Sequence, residues 1–583
     1  MSKKIAELRK IMTPQEDAAQ ISQLWDRYNN QRSGWREEKR ELRNYLFATD
    51  TTTTSNSSLP WKNSTTLPKL TQIRDNLHSN YLSALFPNDN WLRWEGYSQE
   101  DSTLDKAKAI EGYMANKTRE GGFRQLCSKF LYDFIDYGVC FGMPIYEERA
   151  KENQDGDRIP SYIGPNASRI SPLDIVFDPL APSFDKTWKI VRSVKSLSEI
   201  MEMGEAEPDN AAWAATVARR DELRKKAGQF TKDDFDKAVG FSSDGFGSLS
   251  EYLLGDTVEI LEFYGDFRRS ETGELKKDQV VTVVDRAFVA RSTDIPGWLG
   301  GTPIFRAGWR ERTDNLWAMG PLDNLVGMQY RIDHLENLKA DAQDLVVHPP
   351  LKIIGEVEEF VWGPGAEIHI DEQGDVVPLN ANLNGVINAS NEIQLLEFRM
   401  EQYAGAPREA MGLRSPGEKT AFEVQQLQNA AGRIFQEKIT TFEIDFFEKL
   451  LNGMLETARR NMDASEIVRV LDDTLAVQEL LEVSKTDITA SGVLRPIGAR
   501  HFAAQAQLLQ NLNGVFNSPI GTILAPDTSR KQLGKLIEDS LGIERYKIFQ
   551  PNVAVFEQQE TQNLANRAAE ESELAAKAPV EEL

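Results

Sequence analysis

Residues 412–420 form the segment of this chain closest to a nucleotide-binding pattern. A phosphate-binding loop requires G-x-x-x-x-G-K-[ST] between a strand and a helix. Here Glu418 separates Gly417 from Lys419, so a carboxylate would face the phosphates, and a helix is predicted before the loop. A helix start capped by Ser415 or Gly417 explains the segment better, with Glu418 favouring the helix dipole.

Histidines and paired carboxylates offer no clearer chemistry. The five histidines are scattered, without an HExxH or H-x-H pattern, so a zinc site is not expected. The pairs Asp341/Asp344 and Glu358/Glu359 contain the residue type that two-metal nucleases use. Adjacent acidic residues far more often form a solvated face. The sequence therefore predicts a protein without a catalytic centre, a metal or a cofactor.

Three basic residues cluster within a dozen positions of an otherwise acidic chain: Arg408, Arg414 and Lys419. They could face a channel and touch a passing phosphate backbone. They could instead pair with acidic neighbours such as Glu409 and Glu423, in the same subunit or the next one. Both interpretations remain open at this stage, and ion pairing is the commoner role for such residues.

Composition limits the class of protein. The chain has 583 residues, 40% of them hydrophobic, which predicts a globular protein with several substructures. Its net charge of -23 argues against tight gripping of DNA phosphates. Such acidity either keeps the protein soluble or lets DNA slide past without lasting contacts. With Cys127 and Cys140 as its only cysteines, the chain has no disulfide framework, and neither a signal peptide nor a membrane span is predicted.

Apolar spacing predicts the elements of the N-terminal half. Residues 15–48 are expected to form one amphipathic helix, and residues 51–66 a surface loop or linker. Short strands broken by Pro and Gly are predicted for 142–194. A strand-rich block is predicted for 258–309, where the apolar run 280–284 indicates an interior strand.

Farther along, two helices bracket a small insert. The first helix is predicted from Pro321 and ends before Pro349 and Pro350, because proline cannot continue a helix. A strand-like insert follows at 351–379, and then a second helix from Val386 to Tyr403.

The remaining predictions concern the C-terminal part. A third helix is predicted from Lys419 to Met462, with Gly432 as a candidate kink. Residues 465–497 have a mixed pattern with a turn-rich segment at 491–498. Helices and an acidic tail are predicted to follow.

The order of several segments resembles the portal proteins of tailed bacteriophages, the connectors between head and tail, especially those of short-tailed phages. The segments that carry this resemblance are Pro303-Ile-Phe-Arg-Ala-Gly-Trp309, Trp317-Ala-Met-Gly-Pro-Leu322, Gln329-Tyr-Arg-Ile-Asp-His-Leu335, His348-Pro-Pro-Leu351, Gly405-Ala-Pro-Arg-Glu-Ala-Met-Gly412, Glu418-Lys-Thr-Ala-Phe-Glu423 and Phe442-Glu443. Each segment alone is unspecific, and their order and spacing make the resemblance, which is firmest over 300–462.

The resemblance implies an α+β portal fold with long stem and channel helices. Its regions would be N-terminal helices and a β-rich wing in 1–315, a stem helix in 316–348, a clip in 349–385, a second stem helix in 386–404, a tunnel-loop region with a long channel or wing helix and a return segment in 405–498, and a helical crown with an acidic tail in 499–583.

A portal subunit implies particular partners and a particular place. Copies of the chain, about twelve by the resemblance, would close into a ring at one capsid vertex. Double-stranded DNA would pass through the ring during packaging and ejection. Terminase, the major capsid protein, scaffolding protein and tail adaptors would dock on it, in the host cytoplasm during assembly and in the virion afterwards. The alternatives are another structural virion ring or adaptor, and, less favoured, a nuclease or motor ATPase.

Overall fold

The computed structural model describes most of the first 496 residues. The described residues are 15–47, 63, 65–86, 91–98, 104–152, 158–225, 256–270, 272–296, 301–347, 349–355, 375–378, 383–405, 437–462, 465–472 and 477–496. All of them belong to one compact unit, Met1–Pro496. The structure is mixed α and β, as the sequence predicts at that level.

Helices occur throughout this unit. The α-helices are α1 (Glu16–Gln31), α2 (Ser33–Phe47), α3 (Lys69–Leu85), α4 (Leu104–Glu120), α5 (Phe123–Asp136), α6 (Leu197–Ala206), α7 (Ala211–Lys225), α8 (Val326–Val347), α9 (Leu383–Tyr403) and α10 (Glu448–Asn461). A 3-10 turn, Asp323–Leu325, leads into α8, and a π-helical turn, Glu443–Phe447, leads into α10.

The strands form antiparallel sheets. They are β1 (Leu92–Gly96), β2 (Val139–Glu152), β3 (Arg158–Ile170), β4 (Ile175–Phe177), β5 (Lys189–Ser196), β6 (Thr257–Arg268), β7 (Leu275–Val284), β8 (Phe288–Asp294), β9 (Phe305–Gly308), β10 (Leu351–Ile354), β11 (Asp375–Pro378), β12 (Ser465–Asp472), β13 (Val477–Ser484) and β14 (Gly492–Pro496). The larger sheets have the orders β4-β5-β6-β7-β8 and β3-β2-β9, and the two-stranded pairs are β1-β14, β10-β11 and β12-β13.

The five-stranded sheet has helices on both faces. On one face, Ile21 and Trp25 of α1 pack against side chains such as Val281 and Val283. On the other face, Trp213 of α7 packs in a cluster with Val284. Because both faces are covered, β7 can be apolar at successive positions. It lies between β6 and β8, which confirms the predicted interior strand at 280–284.

The predicted single helix over 15–48 is wrong, because the helix breaks at Arg32. The Arg32 guanidinium is buried and donates hydrogen bonds to the carbonyls of Pro172, Leu173 and Ile175 at 2.8, 2.5 and 2.8 Å. These acceptors lie about 140 positions away along the chain. Local periodicity cannot reveal them, so the break is set by tertiary contacts.

The prediction of short strands over 142–194 is wrong in its first half, where β2 and β3 form a long hairpin. The prolines and glycines that suggested breaks have local explanations. The pairing of β2 with β9 ends at Gly142, before Pro144. No β9 carbonyl therefore lacks a donor because proline has no N–H. At Gly142, a Cβ atom would lie 2.8 Å from the ring of Phe446 and 2.9 Å from that of Phe130, so only glycine fits.

The segment predicted to be turn-rich at 491–498 contains a strand instead. Residues Gly492–Pro496 pair in register with β1, so Leu494 lies opposite Trp94. The two strands are about 400 residues apart in the chain. No local signal specifies such a partner, and Gly and Pro at the strand ends imitate a turn.

The third predicted helix is described from 437 to 461, with the π-helical turn at Glu443–Phe447 inside it. Phe442 and Phe446 pack edge-on against Phe134 and Phe130 of α5 at centroid distances of 5.1 and 4.9 Å. The helix is therefore fixed by aromatic contacts with the core. The candidate kink at Gly432 and the start of the helix lie outside the described residues.

Candidate assembly surface

Two long helices and the antiparallel strand pair between them are here called the arm: α8, β10, β11 and α9. Strand β10 follows α8 after Pro349 and Pro350, and it pairs with β11 so that Leu351 lies opposite Pro378. Helices α8 and α9 pack against each other, and Arg331 and Glu392 bridge them at 3.2 Å on the surface. The predicted order of helix, strand-like insert and helix is confirmed. The first helix begins later than predicted, because a 3-10 turn replaces its first residues.

Helix α9 is apolar on two opposite sides. At roughly 100° of rotation per residue, Ile387, Leu395 and Phe398 lie within about 80° of one another. These three side chains are 59%, 49% and 39% exposed. Ile393 and Met400 lie on the opposite side of the helix and are buried. A helix with apolar residues on both sides normally has neighbours on both sides.

Exposed apolar side chains are concentrated on the arm. Among the described residues, eleven of the nineteen large hydrophobic side chains that are exposed belong to the arm: Tyr330, Leu338, Val346, Val347, Ile353, Ile354, Val377, Ile387, Leu395, Phe398 and Tyr403. Single exposed apolar residues are normal on a protein surface, but a concentration of them marks an interaction site. The arm is therefore the candidate assembly surface of this chain.

The polar side of α8 binds a preceding segment of the chain. Four buried polar side chains recur at intervals of four residues, and together they are called the ladder: Gln329, Asp333, Asn337 and Asp341. They face residues 63 and 65–67, called the strap. Four helical residues advance about 6.0 Å and two residues of an extended chain about 6.6 Å, so the two repeats match.

Each member of the ladder contacts the strap backbone. The amide of Asn63 donates to Asp341 at 3.0 Å. The amide of Thr65 donates to Asn337 at 2.7 Å, and Asn337 Nδ2 donates back to the Thr65 carbonyl at 3.2 Å. The strap runs antiparallel to α8, and its backbone groups are satisfied by side chains in place of a β-strand.

The contacts continue at the end of the ladder nearest the N-terminus of α8. The amide of Leu67 donates to Asp333 Oδ1 at 2.9 Å, and Gln329 Nε2 donates to the Leu67 carbonyl at 2.6 Å. Gln329 Nε2 also donates to Asp333 Oδ1 at 2.8 Å. Asp333 is fully buried, and its Oδ2 has no hydrogen-bond partner among the described residues. Burial raises the pKa of Asp333, and the hydrogen bonds from Gln329 and Leu67 only partly oppose this.

Two ion pairs attach the base of the arm to the helical core, and the first has both side chains buried. Lys69 of α3 contacts Glu401 of α9 at 2.6 Å, with both side chains less than a tenth exposed. Lys39 of α2 pairs with Asp323, whose other oxygen accepts a hydrogen bond from the amide of Gly320 at 2.8 Å. Because Lys69, Glu401 and Lys39 are buried, loss of their ion-pair partners would be costly.

A close backbone crossing lies beside the second ion pair. Gly138 has φ 75°, and a Cβ atom there would lie 2.3 Å from the amide nitrogen of Gly320. Both the conformation and the contact therefore require glycine. The crossing fixes the point at which the chain enters the arm.

Several of the residues that could do chemistry lie in the described part of the chain. Asp341 and Asp344 both accept hydrogen bonds from Asn63, so this acidic pair is a structural contact. Cys127 and Cys140 are buried free thiols. In the described part of the chain, no group of three or more His, Cys, Asp or Glu residues is placed to hold a metal ion.

The residues predicted to face DNA, Arg408, Arg414 and Lys419, lie outside the described residues. The pair Glu358/Glu359 also lies outside them. The same holds for residues 412–420. Their roles stay predictions.

The ladder is the feature that sequence reasoning missed. The sequence predicts a helix that includes Gln329 and a loop or linker over 51–66, and it indicates no contact between them. The sequence does carry a signal for the ladder, because its four amide or carboxylate side chains recur at intervals of four residues. Such a repeat defines one helix face, but it does not reveal which segment lies against that face.

No family model matches the chain, and no curated protein matches it. Within the ranges that the structure describes, no helix is both long enough and apolar enough to cross a membrane.

Proposed function

We propose that this chain is a portal subunit, which assembles into a ring at one capsid vertex and serves as the conduit for double-stranded DNA. The observation that carries the proposal is the arm, whose helix α9 is buried on one side and exposes Leu395 and Phe398 on the other. The order of segments that resembles phage portals supports it independently.

A second copy of the same chain is the proposed occupant of the exposed side of α9. A surface patch that binds a different patch of an identical subunit gives a heterologous contact, and repetition by rotation closes a ring. Side-by-side packing of long helices suits such a ring, because their ridges and grooves interlock along their length. By the resemblance, the number of copies is about twelve, in a closed cyclic arrangement.

The ring would act as a mechanical part of the virion, without catalysis of its own. A net charge of -23 per chain suits a conduit that does not hold DNA tightly. Arg408, Arg414 and Lys419 remain the candidate residues for touching DNA in the channel. The exposed strand pair β10 and β11 is the proposed docking site for terminase and then for tail adaptors. Capsid and scaffolding proteins would contact the outer part of the ring.

Electron microscopy of the purified full-length chain tests the proposal. We expect ring-shaped particles with a central hole, and native mass spectrometry should give one high multiple of the subunit mass. A compact monomer at every concentration would contradict the proposal.

A pair of double variants tests the role of the arm. Leu395→Glu/Phe398→Glu places charges on the exposed side of α9, and it should shift the protein to monomers because burying unpaired charges is unfavourable. The control, Leu180→Glu/Leu275→Glu, changes residues that are 76% and 57% exposed but lie away from the arm. Rings should persist in the control. Intact rings in the first variant would exclude this side of α9 as the interface.

A further inference from the structure

A cleft of about 320 Å³ opens between α2, α3, α5 and β3, on the helical core rather than on the arm. Its size is at the lower end of the range for small-molecule sites. Five of its lining residues are cationic: Lys39, Arg43, Arg74, Lys129 and Arg169. Such a concentration of positive charge is unusual in a chain with a net charge of -23.

The carboxylates that line the cleft are already neutralised. Arg169 forms two hydrogen bonds with Asp133, both at 2.6 Å. Arg74 forms two with Asp136, both at 2.7 Å. Both pairs have the two-point geometry that makes arginine–carboxylate contacts strong.

Two cations are left over after this pairing. Lys39 pairs with Asp323 outside the cleft lining. Arg43 and Lys129 are exposed, and neither forms an ion pair among the described residues. Arg74 also lies 3.7 Å from Asp75, outside the lining, so five cations face four carboxylates and the local excess is one positive charge. Cations held together in this way repel one another, and a bound anion would remove that repulsion.

Aromatic rings hold part of the cleft in place. The guanidinium carbon of Arg74 lies 4.1 Å from the centre of the Tyr132 ring. The other neighbour of Tyr132 is His78, whose ring is stacked on it at 3.8 Å. At the end of α2, Arg43 lies 5.8 Å from the ring centre of Phe47, which is 53% exposed. Arg74 is therefore fixed before any ligand arrives, and the exposed Phe47 ring borders Arg43, one of the two unpaired cations.

We propose that this cleft binds a phosphate group, with Arg43 and Lys129 supplying the charge that the ligand neutralises. The phosphate would belong either to a free nucleotide or inorganic phosphate, or to the backbone of a DNA strand. Charge-assisted hydrogen bonds from guanidinium and ammonium groups are the usual way in which proteins hold this group. The site is separate from the arm and does not depend on ring formation.

Isothermal titration calorimetry on the full-length protein tests the site. The probes are inorganic phosphate, thymidine monophosphate and a short DNA duplex, each at near-physiological salt. The wild-type protein should bind at least one probe. Binding of phosphate or the nucleotide identifies a free ligand as the source, whereas binding of the duplex alone identifies the DNA backbone.

Two double variants of equal charge separate a specific site from general electrostatics. Arg43→Gln/Lys129→Gln should weaken binding by about tenfold or more, which corresponds to about 1.4 kcal/mol. Lys108→Gln/Arg119→Gln removes the same charge from exposed positions of α4 outside the cleft and should change affinity by less than about twofold. Melting temperatures will show that both variants are folded. Failure of every probe to bind, or equal weakening by both variants, would overturn the proposal.

Discussion

Replacement of Asp333 by alanine should release the strap from α8. The substitution removes the acceptor for the Leu67 amide and for Gln329 Nε2. A buried donor left without a partner costs about 1–3 kcal/mol. Since each 1.4 kcal/mol is a factor of about ten in an equilibrium constant, local opening of the strap should increase by roughly one to two orders of magnitude.

Hydrogen–deuterium exchange measures this opening directly. Peptides that contain Thr65 and Leu67 should exchange faster in Asp333→Ala, while peptides from the five-stranded sheet should not change. The matched control is Asp344→Ala, because Asp344 accepts one exposed hydrogen bond from Asn63 Nδ2 at 2.9 Å. That control should cost less than about 0.5 kcal/mol. Unchanged exchange at Leu67, or an equal increase in the control, would refute the role of the ladder.

The same contact should depend on pH in a defined direction. Burial raises the pKa of Asp333 above its ordinary value of 3.8, so the folded state favours the neutral carboxyl group. This contribution to stability is fully present below that ordinary value and is lost as the pH rises through the raised pKa. Protection of the strap should therefore be greater at acid pH than at neutral pH. In Asp333→Asn the group cannot ionise, and this part of the pH dependence should disappear.

Two further predictions concern the base of the arm. Lys69→Met should destabilise the protein by about 3–5 kcal/mol because the buried Glu401 loses its ion-pair partner. Adding Glu401→Met should restore much of the loss, and additive effects in a double-mutant cycle of chemical denaturation would contradict this. Gly138→Ala should lower the melting temperature sharply, because its Cβ would lie 2.3 Å from the Gly320 nitrogen at φ 75°. The control Gly327→Ala, on α8 with nothing within 4 Å of the new methyl group, should be neutral or stabilising by about 0.5–1 kcal/mol; similar losses in both variants would refute the explanation.

Elements with strong periodicity could be predicted from the sequence. The two helices of the arm and the strand-like insert between them follow from apolar spacing and from Pro349 and Pro350. The strand at 280–284 follows from its continuous apolar run. These signals are local, because the side chains that create them are only a few residues apart. The sequence predicts the helix α9 but not the assembly surface on it, since it does not show which side of α9 the rest of the subunit covers.

Long-range partners were decided by the tertiary structure. The predicted helix breaks at Arg32, whose guanidinium donates a hydrogen bond to the carbonyl of Ile175. Strand β14 pairs with β1, about 400 residues earlier in the chain. The ladder of α8 binds backbone groups of the strap more than 260 residues away. A residue's position on a helix or strand is set by its near neighbours, and the sequence determines it through their spacing. The partner of a buried hydrogen-bonding group is set by which distant segment the folded chain brings within about 3 Å, and no local pattern encodes that choice.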